Sequence, residues 1–191
     1  MMASTRERWF WLGSLLALPL LILASFTIDS WRNIGEYRRR AELDVEPYKA
    51  GIPFAGAFWT LQQARLIGDG RDTQIKLPND MRLVIIRLSA EAGEDIGQNW
   101  IMCNLTLTDD KNHRWQHLDA IMSSDLSREL DRSAEPVDGC DAVSRHPPEK
   151  GHTLTIEEKF IVPAQAASSL AAQLSFLSTR PDALSIPLNL K

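Results

Sequence analysis

Two cysteines, Cys103 and Cys140, and four histidines, His113, His117, His146 and His152, are the side chains of this chain best suited to chemistry. Thiolate and imidazole are the usual zinc ligands, and a His-x3-His pair such as His113 and His117 can share an ion from one helical face. Here the pair falls in a turn followed by a strand, where residues four apart stand about 13 Å from each other. No cysteine spacing of the zinc-ribbon kind accompanies it. The expectation is therefore no metal and no cofactor. Instead, Cys103 and Cys140 are expected to pair as a disulfide in an oxidising compartment, tying a long polar loop to the inward face of a strand.

The carboxylates Asp69, Asp72, Asp109 and Asp110 cluster in turns and offer oxygen ligands, but none shows the spaced pattern of a calcium loop. They read as solvated turns. Nucleophilic catalysis leaves no local signature: there is no Gly-x-Ser-x-Gly elbow, no Ser-x-x-Lys pair and no phosphate-cradling glycine loop. No catalytic residue is assigned. Asn104-Leu105-Thr106 is formally a glycosylation sequon, but it lies in mid-strand. With a net charge of −4, the chain lacks the basic surface that nucleic acid demands.

The elements that must position these residues begin with an uncharged run from Trp9 to Ile28. That is about the 20 residues a helix needs to cross a hydrocarbon core. Trp9 and Trp11 at one end and Trp31 and Tyr37 beyond the other suit interfacial anchors. The rival reading is a signal peptide cut after Ala24, but the run is long and Ile22 sits where a small residue is preferred. The expected organisation is a tail over 1–8, a transmembrane helix over 9–28, a juxtamembrane linker over 29–50 and a β-sandwich domain over 51–191.

Orientation is pulled two ways. Arg32, Arg38, Arg39 and Arg40 outnumber Arg6 and Arg8, which by a literal count keeps the domain in the cytoplasm. The short N-terminal tail with flanking arginines and the two pairable cysteines favour an exported domain, and that is the orientation adopted. The run Arg38-Arg39-Arg40 is also suited to anionic headgroups at the membrane surface.

The domain is read as short strands cut by turns. Ala57–Ile67 forms a first strand, although its middle would pass as helix, and Met81–Ala90 forms a β-branched second. Trp100–Thr108 alternates, with Ile101, Cys103, Leu105 and Leu107 inward and Met102, Asn104, Thr106 and Thr108 outward. Asp109–Asn112 turns this strand into a partner at Arg114–Leu118. A polar stretch from Ser123 to Gly151 holds at most a short helix around Leu126 and Leu130. His152–Val162 resumes a strand, Ala164–Leu174 reads as a helical turn or loop, and Leu184–Leu190 closes the chain. With no βαβ alternation, the fold class is mainly β, an antiparallel sandwich.

Trp100, Asn104, Leu107-Thr108-Asp109 and Trp115, with the later Phe160-Ile161-Val162-Pro163-Ala164, resemble the immunoglobulin-like extracellular modules of bacterial membrane-anchored proteins. The resemblance covers the second half of the domain and implies an immunoglobulin-like sandwich. It carries over no functional residue. The functional expectation is a non-catalytic envelope protein binding a protein partner in a membrane complex. The alternative is a small membrane-bound enzyme or metal-handling domain built on His113, His117, Cys140 and His146.

Overall fold

A computed structural model describes residues 5–41, 43–68, 77, 78, 80–130 and 136–190. The chain divides into two compact units, Met1–Glu42 and Leu43–Lys191.

The first unit is one helix, α1, Thr5–Ala41. Its segment Trp9–Ile28 has a mean hydropathy of 2.0 and none of it is buried in protein, so it is long and apolar enough to cross a membrane. A signal sequence passes the same test. Two of its polar groups are turned onto the helix itself. The hydroxyls of Ser14 and Thr27 donate to the carbonyls of Phe10 and Leu23, four residues back, at 2.7 and 3.0 Å. The helix continues past the apolar run and includes Arg38, Arg39 and Arg40.

Among the described residues, the second unit holds eight strands in two sheets. They are β1 (Asp44–Pro47), β2 (Ala57–Ile67), β3 (Met81–Ala92), β4 (Asn104–Thr108), β5 (Arg114–Gln116), β6 (Thr153–Pro163), β7 (Ala171–Ser175) and β8 (Asp182–Pro187). One sheet runs β1-β8-β7-β4-β5 and the other β2-β3-β6. All pairs are antiparallel except β1 with β8. The segment 29–50 therefore splits. Its first part prolongs α1, and Asp44–Pro47 joins the sandwich by pairing with β8.

The inward residues follow the two-residue period of a strand. Val84, Ile86 and Leu88 of β3, Leu105 and Leu107 of β4, and Ala172 and Leu174 of β7 are all fully buried in one core shared by both sheets. At one end this core is aromatic. Trp100 stacks on Phe176 with centroids 5.7 Å apart, and Trp59 lies 5.1 Å from Trp100. Both indoles donate to a tight turn, Trp59 to the Phe54 carbonyl and Trp100 to that of Ala55, each at 2.9 Å. That turn places Ala55 and Gly56 at φ +51° and +82°, the pair of left-handed residues that suits a two-residue hairpin.

Three expectations are corrected. Strand β4 starts at Asn104, because the chain turns through Trp100–Met102 with Met102 at φ +53°. Thr106 and Thr108 are buried, so β4 is covered on both faces rather than half-buried. Thr106 is flanked in register by Gln116 of β5 and Gln173 of β7. Part of the segment read as a turn or loop, Ala164–Leu174, is strand: a 3-10 turn over Ala164–Ser169 is followed at once by β7.

Among the described residues, the polar stretch holds two helices, α2 (Ala120–Leu130) and α3 (Cys140–Arg145). Leu126 and Leu130 of α2 pack with Leu118 and Leu77 against Ile67, Leu83 and Ile85. These cover the part of the outer face around Leu83 and Ile85, which explains why β3 is apolar on both sides there, while Arg87, Ser89 and Glu91 follow on the same face.

Candidate functional site

Helices α2 and α3 meet strand β6 around a cavity of about 600 Å³. Its floor is Glu157, Glu158 and Lys159, all nearly inaccessible to solvent. Three consecutive ionisable residues in a buried strand must each find partners, since an unpaired buried charge is expensive.

Glu157 and Lys159 point to the outer face with Leu83 and Ile85, while Glu158 shares the core face with Ile156 and Phe160. On the outer face the Lys159 ammonium donates to Glu157 Oε1 at 2.6 Å and to Ser123 Oγ of α2 at 3.1 Å. Arg87 Nε of β3 donates to Glu157 Oε2 at 2.5 Å. Burial opposes ionisation of Glu157, but the hydrogen bonds from Lys159 and Arg87 outweigh it and hold the carboxyl below its usual range.

On the core face the Cys140 N–H donates to Glu158 Oε1 at 2.7 Å. His117 Nδ1 stands 3.6 Å from Glu158 Oε2 and 3.0 Å from the Leu118 carbonyl. For Glu158 burial dominates, with Asp141 adding to it. His117, the Cys140 N–H and Lys159 offset it only in part, so this carboxyl is pushed above its usual range. The two adjacent glutamates are thus displaced in opposite directions because the strand turns them into different surroundings.

Cys103 and Cys140 are joined in a disulfide with Cα atoms 5.3 Å apart. This is the predicted pair, and it fastens the start of α3 to the chain just before β4. Cys140 is therefore no metal ligand. His113 sits at the other hairpin, its Nδ1 2.8 Å from Asp109 Oδ2. His146 ends α3, and His152 is exposed with Nδ1 4.0 Å from Glu149. The alternative group of His113, His117, Cys140 and His146 is not assembled as a ligand set. Among the described residues, no cluster of three or more metal-binding side chains occurs.

Asp109 organises the β4–β5 turn. Its Oδ1 accepts from the N–H groups of Lys111 and His113 at 3.0 and 2.8 Å. Desolvation raises its pKa, but these bonds and the His113 side chain prevail, and the carboxyl lies below its usual range. Asp110 accepts from Ser169 Oγ at 3.1 Å. Asp69 and Asp72 lie outside the described residues. Arg38, Arg39 and Arg40 are placed as helix backbone only.

Sequence reasoning missed Glu157, Glu158, Lys159 and Arg87. A usable signal was present: strand parity from Ile156 and Phe160 puts Glu158 on the apolar face.

Fold and site define a β-sandwich of two sheets preceded by an apolar helix. No family model matches the chain, and no curated protein does. Two solved structures are similar at a TM-score of 0.40. One is a conserved hypothetical protein from Bacillus anthracis, 8% identical, with the match covering 65% of this chain and 84% of that one. The other is an uncharacterized β-sandwich protein from Clostridium difficile 630, 7% identical, with 75% of this chain and 95% of that one covered.

Proposed function

We propose that this chain is a single-pass, membrane-anchored envelope protein. Its immunoglobulin-like sandwich stands on the extracytoplasmic side and binds a partner protein without catalysing a reaction. The observation that carries the non-catalytic reading is the state of the cleft. Glu157 is bound to Arg87 and Lys159, Glu158 to the Cys140 N–H, and Cys140 to Cys103. These groups are engaged with one another, and Lys159 through Ser123 and Glu158 through the Cys140 N–H tie α2 and α3 to β6.

The apolar helix and the disulfide support the anchor and the exported side. Strand order supports the immunoglobulin-like reading. If β2, β3 and β6 stand for A, B and E, then β8, β7 and β4 stand for G, F and C. The departures are β1, which precedes strand A, and a disulfide that does not join B to F. For the partner, Ile121 and Met122 of α2 offer apolar side chains 75% and 49% exposed beside the cleft.

The test is a photo-crosslinking residue at Ile121 or Met122 of the full chain in its native membrane. The reading expects one discrete protein adduct, lost when the neighbouring position becomes Lys. No adduct at either position, or one unchanged by that substitution, overturns it.

A further inference from the structure

Among the described residues, each sheet edge of the sandwich is protected except one. Strand β6 is sealed on its outer side, where Glu157 N–H donates to the Asp138 carbonyl at 3.0 Å and Lys159 C=O accepts from Leu118 N–H at 2.8 Å. Strand β1 is four residues long and carries Asp44, Glu46 and Pro47, while β5 is three residues long. Short length, charge and proline are the ordinary means of blunting an edge. Strand β2, by contrast, is eleven residues long with Arg65 as its one charge. Among the described residues, no backbone hydrogen bond reaches its outer edge beyond Ala57, which exchanges two with Phe54.

The backbone groups along that edge can be assigned. Ala92 N–H and C=O engage His152 and Gly151, so the even residues of β3 face β6 and the odd ones face β2. The β2 residues paired with the odd ones are Phe58, Thr60, Gln63, Arg65 and Ile67. That leaves Trp59 and Leu61, then Ala64 and Leu66 past the bulge at Gln62, with N–H and C=O directed outward.

We propose that β2 pairs antiparallel with β2 of a second copy, about a two-fold axis between Leu61 and Gln62, joining two three-stranded sheets into one. This register satisfies both parities at once, as does the one centred between Gln62 and Gln63, and of the two it is the one that sets Arg65 opposite Phe58. It sets Trp59 opposite Ala64 of the other copy, each with free outward backbone groups. It sets Thr60 opposite Gln63 and Phe58 opposite Arg65, all on the solvent face, and Trp59 and Ala64 on the core face. Without the bulge, a strand folded on itself about a point between two residues would set core-facing against solvent-facing positions. The bulge, placed at the centre, restores the match. No like charges meet, and Arg65 lies over the half-exposed Phe58 ring. An isologous contact of this kind closes as a dimer and leaves no edge for further growth.

The experiment uses two differently tagged full-length chains, one Thr60→Cys and the other Gln63→Cys, co-expressed in membranes and mildly oxidised. The native cysteines are already bonded to each other. Facing positions in an antiparallel pair lie within disulfide reach, whereas Thr60 and its own copy are three positions out of register. The expected result is a mixed cross-link, with far less from either variant by itself. Thr60→Glu with Gln63→Glu should weaken self-association roughly tenfold by setting like charges face to face, while Thr60→Glu with Gln63→Lys should keep it. Absence of the mixed cross-link from folded protein, or equal yields from all three samples, overturns the proposal.

Discussion

Cys140 is held twice, by its sulfur to Cys103 and by its backbone N–H to the buried carboxylate of Glu158 at 2.7 Å. The residue before it, Gly139, has a backbone conformation open to any residue, at φ −80°. Its requirement for glycine is steric: a Cβ there would stand 2.7 Å from Glu158 Oε1.

Gly139→Ala is therefore expected to lower stability by about 1–3 kcal/mol through overpacking, not backbone strain. Denaturant unfolding of Gly139→Ala, Glu158→Ala and the double variant checks this. The loss caused by Gly139→Ala should shrink sharply once Glu158 is truncated, because neighbours that collide are not additive. Fully additive losses would place the cost elsewhere.

The disulfide closes a separation of 37 residues that contains α2 and its polar flanks. Cys103→Ser and Cys140→Ser should each lower stability by roughly 2–4 kcal/mol, and the double variant by no more than either one, since all three remove the same bond. Thermal unfolding with and without reductant measures it. Unequal single losses would mean that one cysteine acts through packing as well.

Topology is tested through the same bond. An alkaline phosphatase fused after Lys191 should be active, and thiol labelling of the native fusion should find both cysteines blocked. Active fusions of a cytoplasmic reporter at the same point, with both thiols free, would reverse the orientation.

The pH dependence of Glu158 has a definite sign. Its folded pKa is raised, chiefly by burial, so its contribution favours the fold at low pH and is lost as pH rises through the folded value. Glutamine keeps an oxygen to accept from the Cys140 N–H while removing the charge. Glu158→Gln should thus gain Tm over the parent at pH 8 and gain less, or nothing, at pH 4. The opposing pH dependence of Glu157, whose stabilisation is lost as pH falls, is common to both proteins and cancels in the difference. A difference that is flat across this range would show that Glu158 is not strained by its charge.

What could be read from the residues was what period and composition encode. Strands β3 and β6 carry β-branched or apolar runs, the Asp109–Asn112 turn joins β4 to β5, and the charge-free stretch forms a helix. The cysteine pair was legible because only two exist. Strand β1 was not, since Asp44–Pro47 has no apolar rhythm and is a strand only because β8, far along the chain, supplies backbone partners. Strand β7 hid in Ala171-Ala172-Gln173, which suits a loop equally well. The cleft was hidden for a similar reason. Glu157 and Lys159 look solvated until Arg87, on another strand, and Ser123, on a helix, are brought against them.

Strand β4 yields the last prediction, in which structure reverses the simple alternation. Leu105 is fully buried in the shared core, and Leu105→Asp should unfold the domain by setting an unpaired carboxylate there. By alternation alone, Thr106→Asp on the other face would be mild. In the structure Thr106 is 2% exposed and lies between Gln116 and Gln173, whose Oε1 is buried without a hydrogen-bond partner among the described residues. A carboxylate inserted there meets an acceptor that is already unsatisfied, and no described cation is bonded to that position. Thr106→Asp should cost several kcal/mol, approaching Leu105→Asp, whereas Thr106→Val, which removes a hydroxyl without adding charge, should change stability by about 1 kcal/mol or less. Urea unfolding of the three variants ranks them. A near-neutral Thr106→Asp would mean that the outer face of β4 is open to water in solution.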